Sequence, residues 1–493
     1  MRALIYADDG SLLTCSGWEY HTTFPAPGHV EQDPQTWLDS AVHVLSEASE
    51  YAKQNKLQIE AIAVTSQRSS LIPVGKDGKH ITNAMMWQDK RTLRECERLD
   101  AEYGLSALYR KTGLRINPYF VLPKIMWLKT NRPEVYRAAH KLVGVQDYVV
   151  GFLTGDFKTD WSQACRTMLM NIRNFSWDAD LLSIADIDQT RLPKLVPPGS
   201  VAGGLLESVS KKLGLKKGLP VILCGGDQQN AAVALNVIRP GFAAANTGTG
   251  SFVVAYSSKP AFDRRSRVLC QASAVAGKWI VEAGIFNTGS IYRWFKEQFY
   301  PELKGSDKPY LTMNEDVAES PVGANGVMLI PHFEGSAAPY WNPLAKGVFF
   351  NLGLSAKRGD LGRAIQEGIS MEIADNLHLI EKVIGEFEEI SVAGGMVRSD
   401  LFCQMQSDVY DKRVARYENS EATSLGAAMI AWVTLGVYPD IEAAFDHMIV
   451  DRPRIFTPMA EAVLKYAKLQ VRKQKLYYAL EKGGAYEAFS KPV

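Results

Sequence analysis

Asp227 follows Gly225-Gly226 at the end of the apolar run Pro220-Val221-Ile222-Leu223-Cys224 and precedes a helix-like segment from Gln228 to Asn236. Open α/β sheets hold ligands beyond the carboxyl ends of their strands, so a carboxylate there is placed to take a proton from a bound hydroxyl. The same position suits an acidic helix cap, and spacing alone supports both readings equally. Three tight glycine turns also stand beside hydroxyl side chains: Thr247-Gly248-Thr249-Gly250-Ser251, Gly289-Ser290, and Gly394-Gly395 after a strand-like run. Backbone amides freed by such turns, together with hydroxyls, cradle phosphate oxygens, although any one of the turns is more often mere loop geometry. Positioning, a metal-neutralised triphosphate and one carboxylate to take the proton are what phosphoryl transfer to an alcohol needs.

Other chemistries find less support. The chain has no Gly-x4-Gly-Lys-Ser/Thr loop, no full Gly-x-Gly-x-x-Gly fingerprint after a strand, no His-x3-His pair and no Gly-x-Ser-x-Gly elbow. Its six cysteines are scattered without the close pairs that ligate zinc or form a redox dithiol. A net charge of +1 gives no sign of a nucleic acid or an anionic membrane as partner. The acidic pair Asp8-Asp9 comes too early for a signal peptide, and no later stretch is apolar enough to span a bilayer, so a cytoplasmic location is expected.

The elements that position these residues suggest two lobes. A chain of 493 residues with 46% hydrophobic and 22% charged residues exceeds one ordinary core, and fits two domains of roughly 200 to 250 residues. Ala3 to Tyr6 and Ser11 to Ser16 read as a hairpin, Ile59 to Thr65 and Leu71 to Val74 as strands, and Lys79 to Met86 as the far side of the turn at Lys76-Asp77-Gly78. Pro34 to Asn55 and Thr92 to Glu102 read as helices. After Pro240-Gly241 a second hairpin, Ala243 to Tyr256, opens another α/β region with helices at Asp360 to Lys382 and Glu421 to Leu435 around a strand at Glu389 to Val392. We place the boundary at residue 236, with lobes 1–236 and 237–493.

The runs Gly28 to Pro34, Trp87 to Thr92, Gly226-Asp227-Gln228-Gln229 and Thr247-Gly248-Thr249-Gly250 resemble the FGGY family of carbohydrate kinases, its glycerol kinase branch above all. Thr112 to Leu114, Pro118 to Phe120, Ser162 to Asn171, Ala338 to Trp341 and Ala422 to Ala428 continue the likeness in family order. The resemblance implies two ribonuclease H-like lobes of the actin and sugar-kinase type with a cleft between them, ATP and Mg2+ as cofactors, a small polyol or sugar as substrate, and a homodimer or homotetramer. It implies Asp227 as catalytic base. Gln67, Arg68, Ser69, Trp87, Tyr119 and Gln228 would line the substrate site, with core packing as the rival role for Trp87 and Tyr119. On the nucleotide side it implies Arg2, Thr247, Gly248, Thr249, Gly289, Arg293, Gly394, Gly395 and Ser399. Arg293 and Ser399 differ from the branch's Gln and Asn.

Two further departures matter. Glycerol kinases have Arg-Glu where this chain has Arg68-Ser69, and losing an ionic acceptor there removes roughly 1.5 to 3 kcal/mol of charged hydrogen bonding. The expectation is a glycerol kinase-like protein that prefers another polyol or sugar. Family members also carry a strand and an Asp-x-Gly-Thr-Thr-Ser phosphate loop before the segment that begins here at Met1, with Arg2 as its last trace. A start assigned about a dozen residues late is favoured over a true truncation with impaired catalysis, because Asp227 and the cleft residues are present. The alternative functions are a ketose kinase of the xylulose or ribulose type, although the Met-His-Gly usual in xylulose kinases is missing, and a catalytically impaired sugar sensor.

Overall fold

The computed structural model describes residues 1–417 and 421–490. The chain opens in an antiparallel hairpin, β1 (Arg2–Tyr6) with β2 (Leu12–Gly17). Helix α1 (Pro34–Gln54) follows, started by Asp33, whose carboxylate accepts from Gln35 N, and by Pro34, which needs no amide partner in the first turn. Then come β3 (Ile62–Ser66), α2 (Leu93–Tyr103), α3 (Val121–Asn131), α4 (Val145–Thr154), β4 (Val201–Gly204), β5 (Pro220–Gly226) and α5 (Asp227–Ala234). The order in the first sheet is β4-β5-β3, with β5 parallel to β3 and antiparallel to β4. Lys79 to Met86 is less regular than its composition suggests. Only Ala84–Met85 is strand, because Gly75 N donates to Lys79 O and closes a tight turn first.

The second region is built on seven strands: β6 (Phe242–Thr247), β7 (Ser251–Ser257), β8 (Leu269–Ala272), β9 (Trp279–Ile285), β10 (Glu389–Ala393), β11 (Arg413–Arg416) and β12 (Arg454–Phe456). Their order is β8-β9-β7-β6-β10-β11-β12. Antiparallel hairpins occupy one side, while β6, β10 and β11 run parallel, as in a ribonuclease H-like sheet. Around it lie α6 (Gly289–Phe299), the long buried α7 (Arg358–Ile384), α8 (Asp400–Tyr410), α9 (Ala422–Thr434) and α10 (Ala460–Lys482). Together the two regions form the mixed α/β fold of the actin and sugar-kinase type.

Small residues let the halves meet. Helices α5 and α9 approach so closely that a Cβ on Gly426 would lie 2.0 Å from the Asn230 carbonyl oxygen. One apolar core accordingly mixes Ile222, Cys224 and Val233 with Ala244, Val254, Leu425 and Met429. Helix α5 ends at Ala234, two residues before the expected end, and Asn236 takes a left-handed φ of 64°. In the first region β1 pairs with β2 alone and β3 with β5 alone among the described residues. Between them, under α1, α4 and α9, lies a mostly apolar cavity of about 290 Å³ lined by Leu4, Tyr6, Val64 and Ala431 among others.

Candidate active site

Parallel pairing of β3 with β5 sets Ser66 opposite Gly226 and delivers Arg68 and Asp227 to the same sheet end. Gly225 has φ +102°, a backbone suited to glycine, and Gly226 N donates to Ser162 Oγ at 2.9 Å. A Cβ on Gly226 would come 2.5 Å from Arg68 Cδ, so glycine is what allows the arginine to cross the turn. Asp227 is the first residue of α5, and Gly226 occupies the cap position. Its Oδ1 accepts from Gln228 N at 2.8 Å and lies 3.4 Å from Arg68 Nε. The side chain keeps 35% of its surface open to the cleft. Burial raises its pKa above the usual carboxylate range, offset in part by Arg68 and by the Gln228 amide.

Behind Asp227 lies a buried charge cluster. Arg68 Nη1 donates to Gln229 Oε1 at 3.1 Å and Gln271 Oε1 at 3.0 Å and reaches Glu282 Oε2 at 3.4 Å. Arg166 Nη1 reaches the other Glu282 oxygen at 3.4 Å, and its Nε lies 3.5 Å from Ser69 Oγ. Burial alone would raise the Glu282 pKa, but the two guanidinium groups overcome that and hold it below its ordinary value.

Aromatic side chains and one buried lysine form the adjoining wall. Trp87 and Tyr119 rings lie 5.1 Å apart, and the Arg166 guanidinium sits 5.0 Å from the Tyr119 ring centre and 4.9 Å from that of Phe120. Lys124, on α3, donates to the carbonyl oxygens of Ser69 at 2.7 Å and Tyr119 at 2.8 Å. Burial pushes its pKa down to about 7. Ser69 itself has φ +69°, a strained backbone for a non-glycine residue, and Lys124 pins it there.

On the second sheet, the ends of β6, β9 and β10 bring three loops together. Gly289 N donates to Gly248 O at 3.0 Å, and Thr288 N and Ser290 N both donate to Thr249 O. A Cβ on Gly289 would lie 2.3 Å from Gly248 O, and one on Gly394, whose φ is +103°, would lie 2.3 Å from Thr247 O. The N-terminus of α6 therefore opens beside the Gly248–Gly250 turn, and Gly395 beyond it faces open space. Thr249 and Gly248 are exposed, while Thr247 Oγ1 is buried without a partner among the described residues. Ser399 caps α8 through Phe402 N, and Arg293 is exposed at the start of the second turn of α6. Arg2 is paired with Glu421 at 2.6 Å just before α9, where Thr423 Oγ1 donates to Asp227 O.

The structure thus gathers Arg68, Ser69, Tyr119, Trp87 and Asp227 around one cleft, and Thr247, Gly248, Thr249, Gly289 and Gly394 around another set of loops. Gln67 and Gln228 flank the first group in sequence and are partly exposed. Sequence reasoning passed over Glu282, Arg166, Lys124 and Thr288. No group of three or more His, Cys, Asp or Glu suited to a metal occurs among the described residues. No helix among the described residues is long and apolar enough to cross a membrane.

Comparison with known proteins agrees with this fold. Residues 1–234 match the N-terminal domain, and residues 243–435 the C-terminal domain, of the FGGY family of carbohydrate kinases. The glycerol kinase of Thermococcus gammatolerans is 33% identical over 447 residues, covering 90% of this chain and 88% of that one. Among solved structures, the xylulose kinase of Lactobacillus acidophilus superposes with a TM-score of 0.91 at 24% identity, over 99% of this chain and 97% of that chain. The ADP-bound glycerol kinase of Plasmodium falciparum does so with a TM-score of 0.87 at 22% identity, over 100% and 96%.

Proposed function

The chain belongs to the FGGY family of carbohydrate kinases and is an ATP-dependent phosphotransferase acting on an alcohol group of a polyol or sugar, and we propose that Asp227 is its general base. The observation that carries this reading is the carboxylate at the open end of β5, 3.4 Å from Arg68 Nε, with a pKa raised by burial. A raised pKa makes Asp227 a better proton acceptor, while Arg68 holds it ionised and oriented. The acceptor hydroxyl attacks the γ-phosphorus, the bond to the β-phosphate oxygen breaks, and the hydroxyl proton passes to Asp227 Oδ. Arg68, Gln67, Ser69 and Gln228 hold the other substrate oxygens, and the Trp87 and Tyr119 rings cover its carbon-bound hydrogens.

ATP lies on the second-lobe loops in this reading. The loop at Thr247, Gly248 and Thr249, closed against Gly289 at the start of α6, receives phosphate oxygens through the exposed Thr249, and the open face at Gly394 and Gly395 receives the adenosine, with Ser399 and Arg293 at its edge. Mg2+ supplies charge neutralisation to the bound triphosphate. Division into a substrate lobe, 1–236, and a nucleotide lobe, 237–493, follows from this assignment; 418–420 and 491–493 of the second lie outside the described residues. We assign the protein to the cytoplasm, as a homodimer or homotetramer.

The test is ADP formation from ATP over a panel of glycerol, longer polyols and ketoses. Turnover with any of them that is lost in Asp227→Asn supports the reading. Binding without ADP from any acceptor would leave a sugar sensor instead.

A further inference from the structure

Arg166 is 3% exposed, yet its guanidinium is poorly satisfied. Of its five N–H donors, Nε and Nη1 reach Ser69 Oγ and Glu282 Oε1 only at 3.5 and 3.4 Å, near the outer limit of a hydrogen bond. Glu282 is shared with Arg68, which has two amide acceptors of its own at 3.0 and 3.1 Å. Arg166 has none. Its Nη2 makes no hydrogen bond with the described residues, and it is not among the sealed side-chain atoms that lack a partner, so it is not fully closed off from solvent. Beside it stand the Ser69 hydroxyl and the Tyr119 ring.

A buried cation with spare donors is costly unless an anion meets it, because a guanidinium withdrawn from water must be repaid by a partner of good geometry. The side chain at position 69 is too short and uncharged to be that partner. Glu282 is already divided between two arginines. A planar carboxylate would accept two parallel N–H bonds from Arg166 and a third from Ser69 Oγ, whereas a polyol hydroxyl offers a single neutral oxygen.

We propose that the preferred acceptor is a polyhydroxy carboxylic acid, an aldonate-type substrate whose carboxylate is held by Arg166 and Ser69 while a hydroxyl at its other end faces Asp227. This rests on the reading of the cleft as the acceptor site. Arg166 and Ser69 then set substrate class, and Arg68 with Asp227 serves the reacting end. The lone side-chain oxygen at position 69 is what leaves room for the carboxylate.

Calorimetric titration of the full chain with matched pairs, glycerol and glycerate, erythritol and erythronate, xylitol and xylonate, tests this directly. At least one acid is expected to bind ten times more tightly than its neutral partner. Arg166→Met should erase that preference, and Ser69→Glu, which supplies an internal carboxylate to Arg166, should reverse it; ATP binding by both variants checks that they fold. Neutral polyols bound as tightly as the acids, or an acid preference that survives both substitutions, would overturn the proposal. If a neutral polyol is turned over and no acid binds more tightly than its neutral partner, the kinase reading stands while the acid preference falls. If no acid or neutral polyol binds and none yields ADP, both fail.

Discussion

Arg68 Nε lies 3.4 Å from Asp227 Oδ1 while the same guanidinium reaches Glu282 Oε2 at 3.4 Å, so one arginine joins the cleft carboxylate to a buried one. Arg68 is 4% exposed and its position is fixed from behind by Gln229 and Gln271. Asp227 is consequently oriented by a group that cannot swing away. Its substitution should remove proton transfer without disturbing the nucleotide loops. Asp227→Asn is expected to lower kcat by about 100- to 10,000-fold, with ATP affinity by calorimetry within about threefold of the parent. A comparable loss of ATP affinity would place Asp227 in nucleotide binding.

The raised pKa of Asp227 gives the rate a pH dependence of known sign. A general base works deprotonated, so kcat/KM should fall as pH drops through the Asp227 pKa. Burial raises that pKa, Arg68 and the Gln228 amide lower it, then Arg166 lowers and Glu282 raises it. Removing Arg68 deletes the largest lowering influence. In Arg68→Gln the acid limb of kcat/KM should therefore move to higher pH. Stability follows the same linkage: above the unfolded-state value of about 3.9 the native carboxylate resists ionisation, so ionising it costs folding free energy. Asp227→Asn should thus melt higher than the parent at pH 7 to 8, and the difference should vanish below about pH 4.

Lys124 ties together two parts of the wall that are far apart in sequence, since its amine donates to both Ser69 O and Tyr119 O. Lys124→Met leaves two buried carbonyls without a donor, a loss of about 2 to 4 kcal/mol. The KM for the acceptor should rise tenfold or more while KM for ATP changes little. With a folded pKa of about 7, below the unfolded value, the native protein binds fewer protons than the unfolded chain between pH 7 and the ordinary lysine range near 10.4. Parental stability attributable to this group therefore grows with pH across that window. Chemical denaturation should show a larger destabilisation by Lys124→Met at pH 9 than at pH 6.

These residues mark how far the sequence could be read. The strand ahead of Asp227, the hairpin holding Thr247 to Ser251 and the long helix α7 all announce themselves through apolar runs, glycine turns and helical spacing, and they fall within a few residues of their expected limits. Glu282 does not. It is one acid in the otherwise apolar strand Trp279–Ile285, and its partner Arg68 is 214 positions away. Lys124 likewise sits in the apolar helix Val121–Asn131, where nothing local reveals that its amine ends on two carbonyls. Arg166 lay within a recognised run, but its shortage of partners depends on Ser69, Tyr119 and Glu282 arriving from three other segments. Pairing across the sheets creates such contacts, and local patterns carry no record of it.

The nucleotide loops offer the last test, because their closeness depends on glycine. Gly289 stands where a Cβ would lie 2.3 Å from the Gly248 carbonyl, and Gly394 where one would lie 2.3 Å from the Thr247 carbonyl. Both contacts are with backbone, which cannot rotate aside as a side chain could. Gly394 also has φ +103°, so a side chain there is strained as well as crowded. Gly289→Ala should prise α6 from the Gly248–Gly250 turn and weaken ATP binding by tenfold or more, and Gly394→Ala should do the same by shifting the end of β10. Acceptor binding, measured by calorimetry without nucleotide, should stay within about threefold of the parent in each case, since Arg68 and Asp227 are held by β3 and β5. Nucleotide affinity that survives both substitutions would move the triphosphate away from these loops.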